Sequence, residues 1–405
     1  MALPRALAPT LAAALLAALA AAAFAPAVGN GFTGLDDDVR LVENAHLRGG
    51  DAEPLRWAFS AEAGRLYVQP LTWLAFAGEA AAFGLDPGAF HAVSVALHAL
   101  AAALLLLLLW RLTGALGRSA AAATIFALHP LAVEPVAWAA EQNTLLAAVS
   151  GLAAAHAHAW HARAPSAGRW LLVAAAFAAS LLAKPWLLGL PLVLLVLDVT
   201  WLGRLPPAGS PGRAAAARRL LLEKLPLLAL GVAWALHARL AMQGDPALQL
   251  APEPERPLAL RLAHAPVALA RTLGKLVAPV DLSVHDPFPA SVPAWQVLGA
   301  LALIAGITAL ALAWQRRAPA LLAGWGCVIL LLAPTLGLVQ AGRWPAIADR
   351  FAYLAIAAAA AGLAFAVPAE LLAGRAQRWI AGAGVAVLAS LLLLVTRAQL
   401  EPWRD

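Results

Sequence analysis

Stretches of about 20 apolar residues recur from one end of this 405-residue chain to the other, and a bilayer core of ~30 Å takes a helix of about that length. The runs fall near 7–28, 88–110, 119–137, 143–161, 170–183, 186–199, 221–240, 295–314, 320–339, 351–372 and 379–396. They predict an all-α polytopic membrane protein of about 11 transmembrane helices. Only 12% of residues are charged and 62% are hydrophobic, against roughly 25% and 45–50% in soluble domains. This composition excludes a soluble enzyme, a disulfide-stapled secreted module and a nucleic-acid-binding protein. The pI of 10.4 has another source, because basic residues mark cytoplasmic loops in membrane chains.

The first run follows Arg5 and ends near Ala25-Pro26-Ala27. It reads as a cleaved signal peptide or a retained signal anchor, and the many later spans favour the anchor. Expected segments are an anchor over 1–28, a first outer loop over 29–87 and a transmembrane core over 88–241. A second outer loop over 242–294, C-terminal spans over 295–396 and a short tail over 397–405 complete the chain. Each outer loop is expected to carry an interfacial helix, at 70–83 and 258–278. The second contains Arg261, Arg271 and Lys275, so it belongs on the surface and not through the bilayer. With the N-terminus inside, the inner loops hold half of the 28 basic residues, but only Asp198, Glu223 and Glu370 among the acids. Making 258–278 a span would put Arg316 and Arg317 outside and spoil this positive-inside pattern.

The runs at 170–183 and 186–199 are about 14 residues each, or ~21 Å, too short to cross. Their junction, Lys184-Pro185, is predicted to lie below the outer surface in a protein-lined cavity, where interrupted helices make binding sites. Lys184 needs an anion opposite it, either a ligand head group or a carboxylate such as Glu134. The triplet Asp36-Asp37-Asp38 lies just beyond the first run. Mutual repulsion should raise at least one of its pKa values, which suits a general base; a solvated acidic or calcium-binding patch is the alternative. His129 and Glu134 sit at a proline-broken helix end, with Glu141 just beyond. Asp349-Arg350 with Tyr353 opens a later span, where Arg350 has the fork to hold a phosphate and Asp349 could orient it. His156, His158 and His161 have no nearby carboxylate or cysteine in sequence, and His156 and His158 face about 200° apart on a helix, so no metal site is expected. His91 and His98 share one helix face and read as packing residues.

In order, the chain carries Leu35-Asp36-Asp37-Asp38 with Glu43-Asn44, Gln69-Pro70-Leu71-Thr72-Trp73-Leu74, and Leu128-His129-Pro130 through Val136-Ala137-Trp138. Leu182-Ala183-Lys184-Pro185, Leu222-Glu223-Lys224-Leu225-Pro226 and Pro279-Val280-Asp281-Leu282 follow. Gly337-Leu338-Val339-Gln340, Ala348-Asp349-Arg350-Phe351 and Trp403-Arg404-Asp405 complete the set. Over residues 31–405 these motifs resemble the membrane part of the transmembrane-and-tetratricopeptide-repeat O-mannosyltransferases in their bacterial form. The resemblance implies a GT-C glycosyltransferase fold in a bacterial inner membrane, with the active site facing the periplasm. It implies a polyprenyl-phosphate sugar donor, a protein or glycan acceptor, and no cofactor. The base would be Asp37 or Asp36; Lys184 and Arg350 would hold the donor phosphate, with His129, Glu134, Glu141, Asp349 and Tyr353 in support.

The chain departs from that pattern in three places. Gln142-Asn143-Thr144 stands where relatives often have Arg-x-Asp/Glu, His285-Asp286 lies where a tyrosine is common, and no tetratricopeptide repeats follow Trp403 within these residues. Two other classes fit the residues themselves: a transporter or flippase for a lipid-linked or anionic solute, and a non-catalytic membrane anchor. The absence of two matching halves counts against the transporter.

Overall fold

The computed structural model describes residues 7–48, 53–242, 256–338 and 345–404. Arg5, Val339, Gln340 and Asp405 lie outside the described residues. The helices are, in order, α1 (Leu7–Phe24), α2 (Glu53–Ala58), α3 (Ala61–Leu66), α4 (Pro70–Phe83), α5 (Pro87–Thr113), α6 (Leu116–Leu128), α7 (Val133–Ala137) and α8 (Gln142–Arg163). They continue with α9 (Ala167–Ala183), α10 (Leu190–Thr200), α11 (Arg213–Met242), α12 (Leu258–Val277), α13 (Ala294–Trp314), α14 (Pro319–Leu332), α15 (Tyr353–Ala366) and α16 (Arg375–Leu400).

Local chemistry sets the ends of these elements. Asp86 caps α5 by accepting from the Gly88 N–H at 3.0 Å, and Pro87 starts the helix where no donor is needed. Gly114 ends it in a left-handed conformation, φ 70°. Ser166 caps α9 in the same way as Asp86. Ser60 caps α3.

Among the described residues, six helices are long and apolar enough to cross a membrane: Leu7–Gly29, Pro87–Thr113, Arg213–Ala241, Ala294–Trp314, Asp349–Ala366 and Arg375–Trp403. A seventh arises if Leu116–Leu128 and Pro130–Ala137, bent by 57°, count as one span. The chain is thus an all-α protein with several candidate spans, but the expected eleven are not reached. Proline accounts for one shortfall, breaking the third run after His129. Gln142–Arg163 has the length, but Gln142, Asn143, Thr144 and three histidines dilute its apolarity. Ala167–Ala183, Leu187–Thr200 and Pro319–Thr335 are apolar but short, so the half-length pair around Lys184 is indeed a pair of short helices.

The main core gathers α1, α5, α6, α8, α9, α10 and α15 around Phe24, Phe126, Phe177, Leu106 and Tyr353. Close approach fixes α14 on α15: a Cβ added at Gly324 would lie 2.6 Å from the Gly362 Cα, so both positions need glycine. A second aromatic core holds the first loop together. Leu41, Trp57, Trp73, Phe76 and Phe90 pack there, so α4 is a buried brace and not a free surface helix. On α12, Val267, Ala268, Leu269, Thr272 and Lys275 are buried. Lys275 therefore belongs to the packed face and not to the polar one.

Candidate functional site

The first loop reaches the helical body through Asp37. Its Oδ1 accepts from the Ala140 N–H at 2.7 Å, and its Oδ2 from the Thr33 N–H at 2.8 Å and the Thr33 hydroxyl at 3.0 Å. Asp37 is fully buried. Burial raises its pKa, opposed by the donors from Thr33 and Ala140, so the expected upward shift is present but does not arise from Asp36 or Asp38. Asp36 is partly open, its side chain 40% exposed and 3.6 Å from the Arg40 guanidinium. Asp38 begins a π-helical turn over Asp38–Val42, a geometry that often marks functional sites. That turn carries Arg40 inward, buried over the Tyr67 ring at 4.6 Å and near Trp73.

Ala140 is next to Glu141, so the loop is stapled directly above a chain of buried charges. Glu141 Oε2 accepts from Lys184 Nζ at 2.5 Å and from the Thr144 hydroxyl at 2.8 Å. Lys184 also donates to the Thr144 hydroxyl at 2.8 Å and lies 3.4 Å from the centre of the Trp186 ring. Pro185 keeps α9 from continuing past Lys184, and the Thr72 hydroxyl donates to the Ala183 carbonyl at 2.9 Å. Arg350 reaches Glu141 through Nε at 3.5 Å and pairs with Glu134 through Nη1. The Arg350 N–H also donates to Glu134 Oε2 at 2.9 Å. Glu134, Arg350, Glu141 and Lys184 are thus one continuous network drawn from four separate segments.

Other expected members lie to one side. Asp349 does not orient Arg350; its two oxygens accept from Lys275 Nζ and the Ser283 N–H, each at 2.6 Å. His129 caps the bend, accepting from the Leu131 N–H and meeting the Leu276 carbonyl. The Tyr353 hydroxyl is taken by His98 at 2.7 Å. Each residue of Gln142-Asn143-Thr144 has a partner: Gln142 donates to Glu79, Asn143 to Gln69 and Thr144 to Glu141. Arg40 and Tyr67 were missed as site members. The four-residue spacing from Asp36 to Arg40 was the available signal.

At the other end of the helices the histidines do meet carboxylates, contrary to expectation. His158 Nε2 lies 2.7 Å from Asp198, and His161 Nε2 lies 3.5 Å from Glu223. His158, Asp198 and Glu223 could converge on a metal ion. However, Lys224 bridges both acids at 2.8 and 2.6 Å, and Arg204 contacts both as well. Two protein cations already balance the two acids, so the residues do not favour a divalent ion there.

Two spaces adjoin the charged network, and a third lies next to the second. A cavity of about 360 Å³ lies against Thr33, Glu134, Ser283, Asp349 and Trp403. A void of about 30 Å³ touches Thr144, Lys184, Trp186 and Arg350. It shares Leu331 and Leu354 with a wholly apolar groove of about 100 Å³ that runs past Leu105, Leu109 and Trp201. No protein-family model, curated protein or solved structure matches the chain.

Proposed function

We propose that this protein is an inverting glycosyltransferase of GT-C type that moves a mannose-like sugar from a polyprenyl-phosphate carrier to an acceptor hydroxyl. It works at the outer face of a bacterial inner membrane. One observation carries the reading: Lys184 and Arg350 belong to one buried network beneath an acidic loop, and the small void they line shares Leu331 and Leu354 with an apolar groove. A lipid phosphate needs cations at its head and an apolar channel for its tail. An acceptor hydroxyl needs a carboxylate above them.

We assign the base to Asp36, whose carboxylate is partly open, and the anchoring of the loop to Asp37, whose two oxygens already hold three protein donors. The acceptor oxygen loses its proton to Asp36 and forms a bond to the anomeric carbon. The bond from that carbon to the phosphate oxygen breaks, and the phosphate leaves with the electron pair. Lys184 and Arg350 stabilise the charge that grows there, and Arg40 adds positive field from the loop. Phosphate is a good leaving group, so no general acid is needed.

The test is binding of polyprenyl phosphate to the purified full chain. Lys184→Met should weaken it by about tenfold or more. Unchanged binding would remove Lys184 from the site. A second reading, that the network only braces a non-catalytic anchor, draws on the pairing of Lys184 with Glu141 and of Arg350 with Glu134. It predicts no lipid-phosphate binding at all.

A further inference from the structure

The cavity of about 360 Å³ is at the lower end of the roughly 300–1,000 Å³ of small-molecule sites. Glu134 lines this cavity, whereas Lys184 and Arg350 line the separate inner void. Its two acids are buried, and each is held by a cation and a backbone N–H. Glu134 has Arg350 and the Arg350 N–H; Asp349 has Lys275 and the Ser283 N–H. A carboxylate offers about four acceptor positions, so each keeps room for further hydroxyl donors while its orientation is fixed. Each acid is matched by its own cation, so the cavity presents no net charge from these pairs and suits a neutral ligand better than an anion. Trp403 lines the same cavity and leans on Trp138, ring centres 6.2 Å apart. It brings a broad apolar face to a site otherwise rich in acceptors.

We propose that this cavity binds one neutral pyranose ring, with Trp403 as the stacking face and Glu134 and Asp349 as hydroxyl acceptors. The ring comes from the sugar of the lipid donor or from a glycan acceptor. Only the choice between these two sources rests on the transferase reading. The site would divide the work between two compartments, neutral sugar on the Trp403 side and phosphate on the Lys184 side.

The experiment measures methyl α-mannoside binding to the full chain in lipid nanodiscs by saturation-transfer NMR. Wild type should bind it, and Trp403→Ala should weaken binding about tenfold. Trp403→Phe, which keeps an aromatic face, should retain most of the affinity. Inorganic phosphate should not compete. Displacement by mannosylated polyprenyl phosphate assigns the ring to the donor; simultaneous binding assigns it to the acceptor. Competition by phosphate, or equal affinity in wild type and Trp403→Ala, overturns the inference. Glycoside binding that depends on Trp403 in a protein without transfer activity would overturn the transferase reading and leave the cavity standing. Transfer activity with no glycoside binding would do the reverse.

Discussion

Lys184 shows how one buried charge organises its surroundings. It is held by Glu141 and Thr144, and Glu141 in turn reaches Arg350. Removing one partner of such a pair leaves the other buried and uncompensated, which costs about 3–5 kcal/mol. Lys184→Met should therefore lower thermal stability markedly, and Lys184→Met with Glu141→Gln should cost less than the two single changes added together. Strict additivity in thermal unfolding would mean that the two side chains are not coupled. Asp37 offers a pH-linked check. Its folded-state pKa is raised by burial, so its ionised form costs stability as pH rises through that value, and the donors from Thr33 offset part of the cost. Thr33→Val removes the hydroxyl donor to the ionised form, so the Asp37 titration should move further up in an infrared pH titration. A downward move would contradict the assigned cause. Asp36→Asn should leave the fold intact, whereas Asp37→Asn should loosen the loop, since an amide keeps one acceptor oxygen and cannot serve both the Ala140 and the Thr33 N–H. Protection of the Ala140 amide from hydrogen exchange reads this difference directly.

Among the helices, what the sequence made readable followed from punctuation. Proline and run length marked the short pair α9 and α10 around Lys184-Pro185, and the run at 258–278 was readable as a helix. Other features depended on partners far along the chain. The bend after His129 is held by the Leu276 carbonyl, and the pairing of Asp349 with Lys275 spans 74 residues. Asp198 and Glu223 reach the His158 end of α8 only once α10 and α11 have packed beside it. No local pattern announces such contacts. Helix packing makes its own prediction at Gly324, where an added methyl would meet the Gly362 backbone of α15. Gly324→Ala should destabilise by about 1–3 kcal/mol, seen as a lower unfolding midpoint. A neutral effect would mean that α14 and α15 can separate freely.

Across the molecule, charged side chains collect at two ends of an apolar bundle. One end carries the Asp36–Asp37 loop, Glu141, Lys184 and Arg350. The other carries His158, Asp198, Arg204, Glu223 and Lys224. Under the proposed orientation, which follows the positive-inside pattern, the first end faces outside. A reporter fused after Arg213 should thus be cytoplasmic, and one after Asp286 should be external; the opposite result would invert the whole account of the site. The most direct measurement of the proposed chemistry is sugar transfer by the purified full chain in lipid vesicles. The donor is radiolabelled polyprenyl-phosphate mannose and the acceptor a serine- and threonine-rich peptide or a glycan. Wild type should move label to the acceptor, Lys184→Met should lose most donor binding and turnover, and Asp36→Asn should lose turnover while still binding donor. Equal turnover in wild type and both variants, or none in wild type with donor bound, would contradict it.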